Sequence, residues 1–406
     1  MTSKIGKLKK NIPGLRFPGF EGEWEEKRLG EVANIVGGGT PDTTVKNFWG
    51  GEVVWFTPTE IKQKYLSESE RMITKEGATK SSATVLPVGT ILFTSRATIG
   101  DVGIATIECT TNQGFQSLVV HNAQSNEFWY YWLVQNKKEF IRRANGSTFA
   151  EISGKEVRKI KVLTPSFPEQ QKIAAFLTAV DEWIENLKAQ KGKWEEYKKG
   201  LLQKIFSQEI RFKDEDGNEF PDWEEKRLGE VADVKHGYAF KSESYVDDGE
   251  YSIVTISNVQ NGRLAMGQTS SINVLPKDMR KHQSLLVGDM LISMTGNVGR
   301  VCIVDQEGCL LNQRVGKIVV EKNIANDQFV FQKLNSQKFE YRMRSLAQGG
   351  AQGNISNDDI RGFILPLPSM KEQQKIAAIL TTVDEMIHSH QERIVRAEEW
   401  KKGLMQ

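Results

Sequence analysis

The chain has 406 residues, and its 54 Lys and Arg nearly balance 52 Asp and Glu, so net charge alone indicates no particular partner. Three cysteines (Cys109, Cys302 and Cys309) without a C-x-x-C pair argue against a disulfide framework or a zinc site and fit a reducing, cytoplasmic compartment. No apolar run approaches the roughly 18 residues of a membrane span, and the basic start of the sequence lacks the apolar core of a signal peptide.

The chain contains an internal repeat. The ten residues WEEKRLGEVA occur at Trp24–Ala33 and again, unchanged, at Trp223–Ala232. EQQKIAAFLTAVDE, which ends at Glu182, returns as EQQKIAAILTTVDE, which ends at Glu385. Weaker echoes link GTILFTSRATIG to GDMLISMTGNVG and TTNQGF to LLNQRV. Two copies are too few for a solenoid and indicate a pseudo-two-fold molecule, built like a homodimer on one chain.

The first part of each copy has the pattern of an α+β domain. Short β-rich runs occur at 52–56, 90–94 and 115–120, and in copy two as MLISM and GKIVV. One helix is predicted in each domain, at 126–144 and at 326–347. We expect the aromatic side chains of the first helix to face the core rather than to stack on bases.

A helix start follows each domain. Ser166 can act as N-cap with Glu169 three residues later, which is a capping box, and Ser369 with Glu372 repeats it. The helices that begin here are predicted to be about 40 residues and therefore roughly 60 Å long.

A heptad seam runs along both predicted helices, interrupted by Lys191 and His390. Its apolar residues are Ile173, Leu177, Val180, Ile184, Leu187, Trp194, Leu201 and Ile205, and in copy two Ile376, Leu380, Val383, Ile387, Ile394, Ala397 and Leu404. A long helix with one apolar stripe needs a partner. We therefore expect the two helices to form an antiparallel coiled coil with one domain at each end.

These patterns predict the domain organisation and the fold class. We expect an α+β protein in which two globular domains in tandem are separated by two long helices. The predicted segments are a tail at 1–19, a domain at 20–165, a spacer helix at 166–207, a second domain at 208–367 and a second spacer helix at 368–406. The domain interiors at 41–88 and 240–287 barely align, whereas the helices are nearly identical, which is typical of one architecture that presents two different recognition surfaces.

The sequence carries no recognisable catalytic motif. GGGTP at 37–41 lacks the lysine and hydroxyl residue of a P-loop, and DEDGNE at 214–219 has the wrong spacing for a calcium loop and is interpreted as an acidic turn. No G-x-S-x-G, H-E-x-x-H or Asn-Pro-Pro-aromatic string occurs. The sequence therefore indicates a binding protein rather than an enzyme.

The chain resembles the specificity subunits of type I restriction-modification systems. Three features carry the resemblance: the repeated string W-E-E-x-x-L-G-E-V-A, the duplicated helix start P-S-x-x-E-Q-x-K-I-A and the two-copy layout. The resemblance covers essentially the whole chain. It implies two target recognition domains that read an asymmetric, bipartite DNA site, and helices that dock two modification subunits, which restriction subunits join. S-adenosylmethionine, ATP and magnesium would be bound by those partners, and no cofactor or metal by this chain. A cyclic arrangement, with the chain termini near each other, is also expected.

The candidate DNA-binding residues are polar or cationic side chains suited to base edges and phosphates. In the first domain they are Thr40, Lys46, Arg96, Thr98, Asn112, Gln113, Arg142, Arg143, Ser147 and Thr148. In the second they are His236, Tyr238, Lys241, Asn258, Arg263, Asn297, Arg300, Arg314, Arg344, Gln352 and Asn354. We expect about a third of them to touch DNA, because a loop Asn is more often a turn former and a surface Arg a solvated charge.

Two alternative functions remain open from the sequence. A coiled-coil scaffold that joins two ligand-binding domains, without a DNA role, would fit the small net charge of +2. A complete methyltransferase is disfavoured by the missing cofactor and catalytic motifs.

Overall fold

The structure is a computed structural model of the chain and describes residues 11–144, 150–267, 269–347 and 353–405. The chain forms two compact units. The first unit comprises Met1–Lys188 together with Glu392–Gln406, and the second comprises Ala189–Gln391. Each unit therefore combines one globular domain with a part of both long helices.

The first domain and the helix that follows it contain strands, short helices and two 3-10 turns. In chain order the elements are β1 (Glu25–Arg28), α1 (Leu29–Val32), β2 (Ala33–Gly37), 3-10 turn Lys46–Phe48, β3 (Trp49–Phe56), 3-10 turn Pro58–Glu60, β4 (Tyr65–Leu66), β5 (Met72–Ile73), α2 (Lys75–Thr79), β6 (Ile91–Phe93), β7 (Val102–Ala105), β8 (Thr110–Thr111), β9 (Gln116–Val120), α3 (Asn126–Gln135), α4 (Lys137–Arg143), α5 (Gly154–Lys159), β10 (Lys161–Thr164) and α6 (Phe167–Phe206).

Two sheets and a strand pair organise the first domain. The larger sheet has the order β2-β9-β6-β7-β4, in which β4 is parallel to β7 and the other pairs are antiparallel. The smaller has the order β5-β3-β8, with β3 parallel to β8. α3 and α4 bury Trp129 and Phe140 in one core with Ile91 and Phe93 of the larger sheet. The aromatic face of α3 is therefore core, as the sequence predicts.

The second domain repeats this plan with different detail. Its elements are β11 (Glu224–Arg227), α7 (Leu228–Val231), β12 (Ala232–His236), 3-10 turn Ser242–Ser244, β13 (Tyr251–Val254), β14 (Val259–Gln260), β15 (Arg263–Leu264), β16 (Ser271–Ile272), 3-10 turn Lys281–Gln283, β17 (Met290–Ser293), β18 (Val301–Ile303), β19 (Cys309–Leu311), β20 (Val315–Val320), α8 (Asp327–Leu334), α9 (Gln337–Leu346), α10 (Asn357–Arg361), β21 (Ile364–Leu367) and α11 (Met370–Leu404). The sheets have the orders β12-β20-β17-β18 and β16-β13-β19, with the hairpin β14-β15 beside them.

The repeated decapeptide fastens each domain to its own long helix. β1 pairs antiparallel with β10, the strand that leads into α6, so that Glu25 lies opposite Thr164. Just before β1, the Trp24 indole Nε1 donates to Glu169 Oε1 over 3.2 Å. In copy two β11 pairs with β21, and Trp223 Nε1 donates to Glu372 Oε2 over 3.0 Å. The string recurs because both domains need the same connection.

The predicted capping boxes are only half right. α6 and α11 begin directly after Ser166 and Ser369, as predicted. The Glu169 oxygens, however, accept from the Arg16 guanidinium at 2.7 and 2.8 Å, and Glu372 is held in the same way by Arg211. A bidentate arginine gives a buried carboxylate stronger hydrogen bonds than a main-chain N–H does, which is why these glutamates turn away from the cap.

The long helices pair antiparallel within each unit. In the first unit Val180, Ile184 and Leu187 of α6 form a cluster with Ile394 and Ala397 of α11. In the second, Ile205 shares a core with Ile376, Ala377 and Leu380. Ten of the fifteen predicted seam residues are buried, as is His390 at one of the two interruptions. The other five, Ile173, Trp194, Leu201, Ile387 and Leu404, are only half-buried. Among the described residues, no helix combines the length and hydropathy that a membrane span requires.

The residues just before the first domain and the C-terminal end of α11 both pack against α6. The rings of Phe17 and Phe176 are 5.4 Å apart, and those of Phe176 and Trp400 are 6.0 Å apart. Both contacts lie within the first unit. Phe176 therefore joins the residues that precede the first domain to those that close the second helix.

Two single-helix predictions are wrong. The segment 126–144 forms α3 and α4, separated at Asn136, whose side-chain amide donates to the Trp132 carbonyl over 2.8 Å. The segment 326–347 forms α8 and α9, and Ser336 caps the second. In both domains a residue that prefers helix ends interrupts an otherwise helical pattern.

Candidate nucleic-acid interface

Five loops of the first domain are joined by main-chain hydrogen bonds. The bonds run from Gly39 N to Thr111 O (2.9 Å), Asn112 N to Phe56 O (3.0 Å), Ser95 N to Gly114 O (2.7 Å) and Ile152 N to Ser95 O (3.1 Å). We call this set loop cluster 1; it comprises residues 37–41, 56–58, 95–99, 111–114 and 150–152. Loops that are bonded to each other present their side chains in a fixed arrangement, which suits recognition.

The second domain joins its corresponding loops in the same pattern. The bonds run from Tyr238 N to Leu311 O (2.8 Å), Asn312 N to Val254 O (3.2 Å), Met294 N to Arg314 O (3.0 Å) and Ile355 N to Met294 O (3.0 Å). This set is loop cluster 2; it comprises residues 236–240, 254–258, 294–298, 311–315 and 353–355. The repeat therefore preserves the loop frame.

A glycine makes the close contact in each cluster possible. A Cβ atom added at Gly38 would lie 2.1 Å from the Asn112 carbonyl oxygen, and one at Gly237 would lie 2.0 Å from the Asn312 carbonyl oxygen. No side chain fits there, so GGGTP is a close-approach motif rather than a phosphate loop. Ala97 has a φ of 61°, and its counterpart Gly296 has 68°, so the tip of one loop carries the same left-handed turn in both domains.

Loop cluster 1 brings together half of the candidates in the first domain. Gln113 is exposed, and its Oε1 accepts from the Thr40 hydroxyl over 2.5 Å. Thr98 is exposed, while half-buried Arg96 pairs with Glu151 at 2.7 Å. The half-buried Asn112 caps its own turn. Ser147 and Thr148 lie outside the described residues.

The other first-domain candidates are cations outside the cluster. Lys46 is exposed in the 3-10 turn before β3. Arg142 and Arg143 both pair with Glu139 on α4, at 2.5 and 2.6 Å, and the hydrogen bond from Arg143 lowers the pKa of that carboxyl. Because both arginines are partly neutralised by Glu139, they are weaker candidates for phosphate contacts than Lys46.

Loop cluster 2 brings together the second-domain candidates His236, Tyr238, Asn297, Arg314 and Asn354. Asn297, Arg314 and Asn354 are exposed. His236 Nε2 contacts the Asn357 amide at 2.9 Å, and Tyr238 donates to Asp278 over 2.7 Å, which raises the pKa of the tyrosine.

The remaining second-domain candidates differ in position. Asn258 also belongs to the cluster, but it is 2% exposed, and its side chain bonds to Thr255, Ala265 and Thr269, so it holds a turn and cannot reach a ligand. The Arg300 and Arg344 side chains both pair with Glu340. Exposed cations at the surface are Lys241 and Arg263, and Gln352 lies outside the described residues.

A polar cleft of about 490 Å³ adjoins loop cluster 2. Most of the residues that line it were not predicted from the sequence to belong to a binding site. Its side chains include Lys235, His236, Tyr238, Asp278, Arg280, His282 and Gln283. His282 Nε2 contacts the His236 carbonyl at 3.0 Å. The basic run KDMRKHQ at 277–283 was the available signal, but nothing in the sequence tied it to the loops. A cleft lined by both hydrogen-bond donors and hydrogen-bond acceptors can bind base edges or phosphates.

Residues for metal or thiol chemistry are not assembled in the part of the chain that the structure describes. No group of His, Cys, Asp or Glu there could hold a metal ion. All three cysteines are buried and free, and burial raises the pKa of the Cys109 and Cys302 thiols to about 12. Asp214 accepts from the main chain of Asp216 and Asn218, as expected for an acidic turn.

Comparison with known proteins identifies the family. Residues 21–193 and 221–399 match the type I restriction modification DNA specificity domain, so the chain belongs to this family and carries its domain twice. It is similar to the type I restriction enzyme MjaIX specificity subunit of Methanocaldococcus jannaschii, with 28% identity over 400 residues, 94% of this chain and 92% of that protein.

Solved structures share the fold. The S subunit of a type I restriction-modification system from M. genitalium has a TM-score of 0.57 at 17% identity, covering 96% of each chain. A chain from a structure of the type I restriction-modification system has a TM-score of 0.58 at 18% identity, covering 97% of this chain and 98% of that one. The chain is thus a specificity subunit with two tandem specificity domains, and its role is DNA recognition.

Proposed function

We propose that this chain reads an asymmetric, bipartite DNA site, one half through each loop cluster, and brings two modification subunits to it. The observation that carries the proposal is that the same bonded loop frame occurs twice with different side chains. Arg96 in cluster 1 corresponds to Thr295 in cluster 2, and Gly114 corresponds to Arg314. Different donors and acceptors on one frame select different base sequences.

The proposed contacts divide by chemistry. Exposed polar groups at the loop tips, such as Thr98, Gln113 and Asn297, suit base edges, and Arg314 suits a guanine. Exposed cations outside the clusters, such as Lys46, suit phosphates. Asn258 is left out because it is buried. The domain limits that we propose remain 20–165 and 208–367, with spacer helices at 166–207 and 368–406.

Partner docking is proposed for two apolar patches on the long helices. In the first unit Trp183 and Trp400 are 44% and 47% exposed, with ring centroids 6.3 Å apart. The residues at the equivalent positions of the repeat in the second unit are Met386 and Tyr197, which are 39% and 55% exposed. Exposed aromatic and Met side chains are enriched at protein interfaces. Two related patches support two copies of one partner, the modification subunit.

The chemistry is assigned to the partners. Modification subunits would bind S-adenosylmethionine, restriction subunits would use ATP and magnesium, and this chain would be non-catalytic. A structural neighbour comes from work on complex assembly of the type I system, which supports partner subunits. With DNA as the ligand, we also propose a cytoplasmic location.

Exchange of one domain tests the proposal. Residues 20–164 are replaced by the equivalent domain of a relative with another target, and the methylated sites of a strain carrying the full system are sequenced. We expect one half of the methylated motif to change and the other half to stay. A change in both halves would contradict independent reading by the two domains.

The scaffold alternative is tested by binding. A gel shift of the purified complex on specific and random DNA should show tighter binding to the specific site. Equal binding to both DNAs would contradict sequence-specific reading, and absent binding would favour a scaffold without a DNA role. S-adenosylmethionine binding by the pure chain alone would contradict the non-catalytic assignment.

A further inference from the structure

Each domain is attached to its long helix near the helix start. In the first unit the buried Gln170 accepts from the Ser125 main chain and donates to the Gln124 side chain, both over 2.9 Å. In the second unit Gln373 accepts from the Asn326 main chain over 2.8 Å. A domain held only here could pivot about the helix start.

A second attachment lies further along each helix. In the first unit the Tyr131 hydroxyl donates to Asp181 Oδ2 over 2.6 Å, and Lys401 of α11 pairs with the other Asp181 oxygen. In the second unit Gln332 donates to Asp384 Oδ2 over 2.6 Å, and Lys198 of α6 pairs with Oδ1 over 2.6 Å. Each carboxylate thus joins a domain helix, its own spacer helix and the other spacer helix. We call these sites node 1 and node 2.

The spacing of the attachments prevents pivoting. Gln170 and Asp181 are 11 positions apart in the sequence, as are Gln373 and Asp384, which is about 16 Å along a helix. Tyr131 is 3% and Gln332 is 1% exposed. A buried polar group that leaves its partner carries a desolvation cost, so each node favours one domain orientation over nearby ones.

Node 1 is the stronger of the two. Lys64 of the first domain donates to the Tyr131 hydroxyl over 3.0 Å and to Thr178 of α6 over 2.9 Å. Its ammonium also lies over the Tyr131 ring, 4.5 Å from the centroid, and pairs with Glu127 at 2.6 Å. In node 2 the side-chain oxygen of Gln332 has no hydrogen-bond partner among the described residues.

We propose that Tyr131 and Lys64 are positioning residues for spacer selectivity: by locking the first domain onto the helix pair, they restrict the complex to one distance between the two DNA half-sites. The inference rests on the proposed bipartite reading. Neither side chain belongs to a loop cluster, so neither reads sequence. A domain free to swivel would accept half-sites at neighbouring spacings, while its loops would still recognise the same bases.

The test uses the complete modification complex assembled with Tyr131→Phe/Lys64→Met. This double variant keeps the tyrosine ring and an aliphatic chain at both positions. The substrate is a plasmid library in which the two half-sites are separated by every spacer length over one helical turn, and methylation is sequenced. We expect the preference for the native spacer over spacers one base pair shorter or longer to fall about tenfold, the factor that corresponds to one lost hydrogen bond to a charged group.

Tyr65→Phe is the matched control. Its hydroxyl donates to Glu127 over 2.9 Å, beside the same lysine, but not to a spacer helix. We expect its spacer preference to equal that of the wild type. Lys401→Met, which alters node 1 from the other helix, should relax spacer preference in the same direction and provides a second variant.

The outcomes separate the inference from the proposed function. An unchanged spacer preference in Tyr131→Phe/Lys64→Met and in Lys401→Met would overturn the inference, even if thermal stability fell. Altered half-site sequences in the double variant would also overturn it, because a positioning role leaves base recognition intact. If the wild-type complex methylates no bipartite site in the library, the proposed function itself fails.

Discussion

Lys333 is a buried cation without an acidic partner among the described residues. It is 5% exposed, and its Nζ lies 4.1 Å from the centroid of the Phe206 ring. Burial, with a smaller effect of Lys338, lowers the pKa of Lys333 from 10.5 to about 8. Its counterpart in the first domain is Trp132. The second domain thus carries a charge at a position where the first has an aromatic ring.

Replacement of this lysine should stabilise the second unit. Below pH 8 the native state holds a charged lysine that the unfolded state solvates better, so the free energy of unfolding is reduced. From about pH 8 to 10.5 only the unfolded state binds the proton, and the free energy of unfolding should rise with pH. The pKa difference corresponds to about 3 kcal/mol, and Lys333→Met should recover about 2 kcal/mol at pH 7.

Urea unfolding at several pH values between 7 and 10 measures this effect. The wild-type free energy should climb towards that of Lys333→Met as the pH rises. A constant difference between the two proteins over that interval would show that the lysine does not titrate there.

Side chains at the loop tips give a prediction for each half-site. Gln113→Ala should relax base preference in one half of the DNA site, and Arg314→Ala in the other, by about 1–3 kcal/mol at one position. Lys46→Ala serves as the control and should weaken binding to all sequences alike and lower its salt dependence. Methylation sequencing and binding at several salt concentrations distinguish these effects. Loss of preference in both halves from one substitution would argue against separate reading.

At the scale of single elements, the repeated apolar patch predicts the stoichiometry of assembly. Trp183→Ser alone should leave one modification subunit on the chain, because the Met386 patch in the other unit is intact. Native mass spectrometry of the reconstituted complex counts the subunits. Val88→Ser, at a 62% exposed apolar residue of a domain turn, is the control and should retain both. Retention of two subunits by Trp183→Ser would move the docking site elsewhere.

The long helices could be predicted from the sequence because the features that specify them, helix-start residues and a heptad pattern, are local and periodic. The heptad residues from Leu177 to Leu187 are buried as predicted. The break at Asn136 was missed, since one polar residue in an apolar run is a weak signal. The roles of Tyr131 and Asp181 were not predictable, because their contact joins positions 50 residues apart. The cleft around Arg280 was missed for the same reason: pairing among loops is decided by tertiary structure.

For the whole molecule, the helix pair is predicted to set the distance between half-sites. Because the helices pair antiparallel within each unit, one heptad must be inserted into both, after Ala189 and after Glu392, to keep the seam in register. Seven residues add about 10.5 Å, close to the length of three base pairs. The inserted heptad turns one end of the coil by only about 20°, whereas three base pairs turn the DNA by roughly 100°. The preferred spacer should lengthen, with weaker binding.

Methylation sequencing of the double-insertion variant measures the new spacer. Insertion into α6 alone is the control, and it should disrupt the seam and abolish activity. An active double-insertion variant with the original spacer would show that the helices do not set the distance.

The first unit is built from two stretches of the chain that are far apart in sequence, and this affects folding during synthesis on the ribosome. The surface formed by Val180, Ile184 and Leu187 is covered by Ile394 and Ala397, which are translated more than 200 positions later. At a translation rate of about 5–20 residues per second, that surface stays uncovered for roughly 10–40 s. During this interval the nascent chain exposes an apolar helix face that a chaperone could shield or a second nascent chain could capture. Slowing translation over the second domain should therefore lower the yield of native protein more than slowing it over the first.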